Sequence, residues 1–277
     1  MSGYLNSDKS KFEQLSKNTV AADNQLKDGE WVRFYNANGK GKRIMLVGNS
    51  ITLHAVSEEI GWFNEWGMAA SSEEKDYVHQ LMSMTNAVEK DAAFCVCQVS
   101  SWERSYHKGE DAFPLFKEAF NFTPDIIIAR FIENCSGEDF DNEIYKAALK
   151  NLLTALSNGN TPKVILTTGF WHHPGDGAIR EAAQEWGYPL IELGDLGERD
   201  EMKAIGLFDH SGVANHPGDL GMKTIADRIF DVLKSFFDKL QISLRLFHNS
   251  PGRENIFFNI ALIFYRNILS SLFSTGQ

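Results

Sequence analysis

The stretch RIMLVGNSITLHA, residues 43–55, decides how the chain is read. Ile44, Met45, Leu46 and Val47 form an unbroken apolar run. The run is short and lacks polar alternation, which is the pattern of a strand buried on both faces. Gly48, Asn49 and Ser50 follow, and a helix-like pattern begins after them. A strand that passes into a helix through a glycine turn leaves the serine at its carboxyl edge. Ser50 then has two readings. Its hydroxyl can cap the helix, a common role at such a boundary. It can also be a nucleophile, which needs a base to take its proton and donors to hold the oxyanion that forms. Its own N–H, aligned with the positive end of the helix, is one such donor. Thr52 stands where a G-x-S-x-G turn has its second glycine, so the lipase-type elbow is absent.

Outward from this stretch the pattern repeats. Strand-like runs lie at AAFCVCQV (92–99), DIIIARF (125–131), KVILTTGF (163–170) and YPLIELG (188–194). Helical patterns separate them. SSEEKDYVHQLMSMTNAV (71–88) opens on a capping box, Ser71-x-x-Glu74. In 139–160, Ile144, Ala148, Leu152 and Leu156 share a helix face, and a glycine ends the pattern. GAIREAAQEWG (177–187) and LGMKTIADRIFDVLKSFF (220–237) complete the set. Alternating β and α elements predict a doubly wound α/β domain with five parallel strands over residues 41–239. Residues 1–40 read as a polar lead-in with one short edge strand at WVRFYNA (31–37). Such sheets bind ligands beyond the carboxyl ends of their strands. Gly48-Asn49-Ser50, Glu133-Asn134-Cys135, Trp171-His172-His173 and the loop 209–219 all follow apolar runs.

The net charge of −10 and the lack of a basic run argue against nucleic acid as a partner. The polar start has no apolar core of a secretory signal, and Cys95, Cys97 and Cys135 make no disulfide framework, so a cytoplasmic location is expected. Cys95 and Cys97 read as small apolar strand residues. His172 and His173 are adjacent, point in different directions and have no carboxylate at zincin spacing, so no metal site is expected. Residues 240–277 form an apolar extension carrying Arg245, Arg253 and Arg266 against Glu254. Its core, 255–273, reads first as a helix packing on the domain or on a second subunit, which would make a homo-oligomer, second as a membrane-surface segment, and third as a poorly ordered or non-native extension.

Several residues gather at the predicted active edge. His216, in NHPGDLGM (215–222), places an imidazole on a loop. The Asn134 amide can donate to an oxyanion, and Gly67 offers a bare backbone N–H. His54, four residues after Ser50, shares its helix face, and Trp66 and Trp171 suit the apolar faces of sugars or plain packing. Glu133, next to Asn134, can fix Arg130 or contact substrate, and an exposed ion pair is the plainer reading.

GNSIT (48–52), WGMAAS (66–71), RFIENC (130–135) and NHPGDLGM (215–222) together resemble the four sequence blocks of the SGNH, or GDSL-like, hydrolases, in order and spacing over residues 43–237. The resemblance implies a flavodoxin-like three-layer α/β/α sandwich. It also implies Ser50 as nucleophile, His216 as base, and the N–H groups of Ser50 and Gly67 with the Asn134 amide as oxyanion donors, without metal or organic cofactor. Three departures stand out. Asn49 replaces the Asp of G-D-S, the flanks of Asn134 differ, and Val213 occupies the place of the Asp that orients the histidine. A backbone carbonyl of the 209–215 loop or Asp209 can take over that task. The resulting expectation is a serine esterase acting on short acyl esters, such as acetyl groups on a carbohydrate. The alternatives are a glycan-binding module on the same scaffold, which Val213 favours, and an O-acyltransferase.

Overall fold

The computed structural model describes residues 30–137 and 140–237. Most of the lead-in and the whole extension 240–277 lie outside them. Among the described residues no helix is long and apolar enough to cross a membrane.

Six strands form one sheet: β1 Val32–Tyr35, β2 Arg43–Gly48, β3 Ala93–Gln98, β4 Ile126–Arg130, β5 Lys163–Thr167 and β6 Leu190–Ile191. Their spatial order is β1-β3-β2-β4-β5-β6. The last five are parallel, and β1 pairs antiparallel with β3. The parallel set matches the expectation, with the strand order of a flavodoxin-like sheet. The sixth strand is the edge strand read in WVRFYNA. Its burial falls from buried Val32 to exposed Phe34, with Arg33 and Tyr35 half-buried, as suits a short edge strand, and Arg33 on it discourages edge-to-edge pairing.

The helices are α1 Tyr77–Val88, α2 Ser100–Ser105, α3 Asn142–Ser157, α4 Asp176–Trp186, the short α5 Gly194–Gly197 and α6 Ser211–Ala214, and α7 Asp219–Leu233. Side chains alternate across the sheet. Met45, Val47, Cys95, Cys97, Ile127, Ala129, Val164 and Leu166 form one core with Tyr145, Leu149 and Leu152 of α3 and Ala178, Ile179 and Ala182 of α4. The intervening Ile44, Leu46, Val96, Ile126, Ile128 and Ile165 are also buried and face the side where α1 packs on α7. Each such aliphatic side chain contributes about 1.5–3 kcal/mol. Both faces are covered, which gives three layers.

Three local expectations are corrected. No helix follows β2. The N–H groups of Thr52 and Leu53 both return to the Asn49 carbonyl, and the chain then runs on without helix. The reason is burial on every side. Ile51, Thr52, Leu53, His54 and Ala55 are all buried, whereas a surface helix needs a solvated face. Helix α1 starts later than its capping box predicts. Asp76, not Ser71, is its cap, accepting from the His79 N–H at 2.7 Å. Ser71 instead donates to Asp219 at the start of α7, from its N–H at 2.8 Å and its hydroxyl at 2.7 Å. Helix α3 buries Tyr145, Leu149, Leu153 and Leu156, leaves Ile144 exposed, and ends at Asn158 in the left-handed conformation, one residue before the glycine.

Candidate active site

Ser50 lies two residues beyond the carboxyl end of β2, in a turn that requires Gly48. A Cβ there would sit 1.8 Å from Thr52 Oγ1 and 2.9 Å from the Arg130 carbonyl of β4. His216 reaches the serine from the loop between α6 and α7, with Nε2 2.8 Å from Ser50 Oγ. The other ring nitrogen, Nδ1, is 2.7 Å from the Gly212 carbonyl. A carbonyl only accepts, so Nδ1 carries the proton, and the neutral ring turns its Nε2 lone pair towards the serine hydroxyl. Helix α6 supplies that carbonyl. Gly212 O would normally accept from the N–H four residues on, but the His216 N–H turns to Val213 O at 3.0 Å, leaving Gly212 O for the ring. Desolvation pulls His216 down to about 4, against the raising effect of the Gly212 bond, and the neighbouring His54 adds to the fall. Trp171 stands edge-on to the imidazole at 5.5 Å between ring centroids.

Asp209 is not the partner of His216; the backbone is. Val213 is buried in a small cluster with Ile60, Trp62, Met68, Ala69 and Ala204. Its side chain belongs to packing.

The expected donors are arranged differently from the sequence reading. The Ser50 N–H forms no hydrogen bond among the described residues. The Gly67 N–H is already taken by the buried carboxylate of Asp76 at 3.0 Å. Gly67 is needed for a close approach instead, since a Cβ there would meet the Ile51 carbonyl at 2.5 Å. It opens a turn closed by the Ala70 N–H on the Gly67 carbonyl at 3.3 Å, with Ala69 at φ 76°. That position of a type II turn favours glycine, and an alanine there costs roughly 1 kcal/mol. The Met68 N–H donates to Ser50 O at 2.8 Å, so this turn lies against the serine. The Ala69 N–H has no hydrogen-bond partner among the described residues.

Asn134 is clamped. Its Nδ2 donates to Glu103 Oε2 at 2.8 Å, its backbone N–H to Glu103 Oε1 at 3.2 Å, and its Oδ1 accepts from Arg104 Nη1 at 2.7 Å. One Nδ2 hydrogen remains. Glu103 belongs to a buried polar network under Ser50. Asn49 Nδ2 donates to Glu103 Oε1 at 3.1 Å and to Glu133 Oε2 at 2.6 Å, while its Oδ1 accepts from Arg130 Nη2 at 2.5 Å. Glu133 also receives Arg130 Nη1 at 2.7 Å and the Phe170 N–H at 2.8 Å. The Arg130–Glu133 pair, read as exposed, is buried. Burial and the charge of Glu133 push Glu103 up to about 7, against three N–H donors. Burial is the largest influence on Glu133 and raises it, but the Arg130 charge together with the hydrogen bonds from Arg130, the Phe170 N–H and Asn49 outweighs it and holds the group below the ordinary carboxylate range.

His54 lies close enough to His216 for its charge to act on that ring. It is buried, its Nδ1 lies 2.7 Å from the Ala55 carbonyl, and desolvation pulls it down to about 4. Trp66 lines a groove of about 560 Å³ with Phe34, Tyr35, Phe63, Arg33 and Glu65. His172 pairs with Glu198 on the surface, and His173 Nε2 lies 3.1 Å from the Cys135 carbonyl. Among the described residues no group of three or more His, Cys, Asp and Glu is placed to hold a metal ion. All three cysteines are free and buried. Sequence reasoning expected a backbone carbonyl of the 209–215 loop without naming Gly212, and it missed Asp76, Glu103 and Arg104. The rule that finds Asn134, to look just past an apolar run, also finds Glu103 and Arg104 when applied to the second run. Gly212 contributes only backbone and carries no side-chain signal.

No protein-family model matches the chain, and no curated protein is similar to it at a significant level. Solved structures resemble it at low identity. A two-domain esterase active on acetylated mannans, co-crystallised with mannopentaose, is 16% identical with a TM-score of 0.49. That match covers 72% of this chain and 51% of the other, so the chain spans about half of that esterase's length. A lipase/acylhydrolase from Enterococcus faecalis is 18% identical with a TM-score of 0.46, over 70% of this chain and 96% of the other. A psychrotrophic esterase from a Pseudoalteromonas species is 11% identical with a TM-score of 0.44, over 70% and 98%.

Proposed function

We propose that the chain is an SGNH-type serine esterase working through a Ser50–His216 dyad. One observation carries the reading. Ser50 Oγ and the Gly212 carbonyl hold the two nitrogens of one imidazole at 2.8 and 2.7 Å. That is a nucleophile, a base and an orienting acceptor in series.

Ser50 Oγ attacks the ester carbonyl carbon as its proton passes to His216 Nε2. The tetrahedral oxyanion is held by the Ser50 N–H, the Ala69 N–H in place of Gly67, and the free Nδ2 hydrogen of Asn134. The alkoxide leaves with the proton from Nε2. Water then repeats the sequence on the acyl-enzyme and releases the acid. A neutral carbonyl stabilises the imidazolium less than a carboxylate does, yet it secures the tautomer whose loss drops a triad about 10⁴-fold. The aromatic groove along Phe34, Phe63 and Trp66, with Arg33 and Glu65 at hand for hydroxyl groups, supports a carbohydrate as the alcohol part.

The test is hydrolysis of 4-nitrophenyl acetate and butyrate, with fluorophosphonate labelling read by intact mass. Wild type is expected to turn over and to gain one adduct, Ser50→Ala to do neither, and His216→Ala to lose turnover. A wild type that neither hydrolyses nor labels would sink the proposal.

A further inference from the structure

The dyad leaves the buried network beneath it unexplained. Glu103 is fully buried, and the structure aims only donors at it: the Asn49 amide, the Asn134 backbone N–H and the Asn134 carboxamide. Burying a carboxylate is costly unless its hydrogen bonds are made, so this arrangement has to be maintained by something specific. Asn134 is the residue on which it converges. Arg104 holds its carbonyl oxygen and Glu103 holds one carboxamide hydrogen and the backbone N–H, so the carboxamide plane cannot turn. A freely rotating Asn would pay for its ordering each time an oxyanion formed; a clamped one is preorganised. Asn49, next in sequence to Ser50, joins the clamp to the nucleophile turn by giving one amide hydrogen to Glu103 and the other to Glu133.

We propose that Glu103 is a positioning residue that acts through Asn134, fixing its remaining amide hydrogen for the oxyanion at Ser50, with Arg104 holding the opposite end of the same carboxamide. The proposal rests on Ser50 being the nucleophile. In Glu103→Gln the new amide group confronts the N–H groups of Asn49 or Asn134, donor against donor, and the clamp opens.

The experiment is a double-mutant cycle read as kcat and KM on 4-nitrophenyl acetate, with Glu103→Gln, Asn134→Ala and the pair. Removing one oxyanion donor typically costs about 10²–10³ in kcat, so Asn134→Ala should fall in that range with KM nearly unchanged. Glu103→Gln should lower kcat by roughly 10-fold or more, and the pair should be no slower than Asn134→Ala alone, because a group acting through Asn134 has nothing left to position. Arg104→Met guards against misfolding of the buried variant, since it opens the clamp from its half-buried end and should show the same non-additivity. Asn-selective ¹⁵N labelling gives a readout independent of turnover: the Asn134 side-chain amide signal should shift in Glu103→Gln. Losses that multiply in the pair, wild-type kcat in both clamp variants, or an unmoved Asn134 amide would overturn the proposal while leaving the dyad standing. A wild type inert to ester and fluorophosphonate removes the dyad and this proposal with it.

Discussion

Replacing Asn49 by Asp changes one amide into the carboxylate of the G-D-S pattern, and here it should be severely destabilising. In the wild type the Asn49 amide donates to Glu133 Oε2 at 2.6 Å and to Glu103 Oε1 at 3.1 Å. An ionised Asp would lose both charge-assisted bonds, worth about 1.5–3 kcal/mol each. It would also set a third carboxylate against two others. Arg130 and the half-buried Arg104 are the cations that reach this cluster. At about 3 Å and an effective dielectric near 20, each new repulsion is of order 5 kcal/mol, so the Asp will take up a proton instead. Protonated, it can donate to one glutamate and leaves the other contact empty. The expected loss at pH 8 is roughly 4 kcal/mol, a large part of the 5–15 kcal/mol of an ordinary domain. The sign of its pH dependence follows from linkage. The folded variant binds a proton that the unfolded chain has released above its ordinary Asp value, so its stability falls as pH rises. Urea unfolding followed by tryptophan fluorescence at pH 5, 6.5 and 8 measures this against the wild type. A difference under about 0.5 kcal/mol at pH 8, or a gap that widens on acidification, would refute the reasoning.

Val213→Asp, which restores the residue of the family pattern, should not restore a triad: its side chain would enter the apolar cluster of Trp62, Met68 and Ala204, and a loss of about 3 kcal/mol or more is expected in thermal unfolding, with no gain in ester turnover. The base must be neutral to work and desolvation holds His216 well below 6.5, so kcat/KM should stay level on acidification past pH 6 and fall only near the lowered value; an acid limb at 6.5 or above would contradict the buried ring. Trp171→Ala opens the edge-on face of that ring to water, and the acid limb should move upward toward 6.5, read from the same pH profile. Asp76→Ala removes the acceptor of the Gly67 N–H and the cap of α1 together, and should cost about 3 kcal/mol by urea titration, with a further fall in kcat if the 67–70 turn loosens.

The sheet was legible because its strands are buried on both faces. Runs such as DIIIARF and KVILTTGF, short, apolar and rich in β-branched residues, suit strands covered on both faces, and their alternation with helical patterns gives the α/β class. The missing helix after β2 was not legible from spacing, because ITLHA offers an apolar residue at nearly every position and periodicity cannot separate a buried turn from a buried helix. Ser50, His216 and Asn134 were legible as candidates because each follows a strand or precedes a helix at the carboxyl edge of the sheet, and the structure brings Ser50 and His216 within 2.8 Å. Gly67 was assigned to the oxyanion for its bare N–H, yet the same openness lets the chain pass against the Ile51 carbonyl, and Asp76, nine residues on, claims the donor.

Two of the three departures from the SGNH block pattern, at positions 49 and 213, have a common physical origin, which is that charge is placed elsewhere. At position 213 the usual carboxylate is missing, and a three-residue turn in the backbone of α6 presents a carbonyl to the same ring nitrogen. A peptide carbonyl needs no desolvation of a full charge, so Val213 is free to complete the cluster that covers the 67–70 turn. At position 49 the usual carboxylate would stand beside Glu103 and Glu133, and only a residue with two donors and an acceptor on one planar group can meet both glutamates and Arg130 at once. Asn is the one side chain of that size with this inventory. Each substitution, taken alone, looks like the loss of a catalytic feature. In the folded chain each is the residue that its new neighbours require, and the dyad geometry of 2.8 and 2.7 Å is preserved through both.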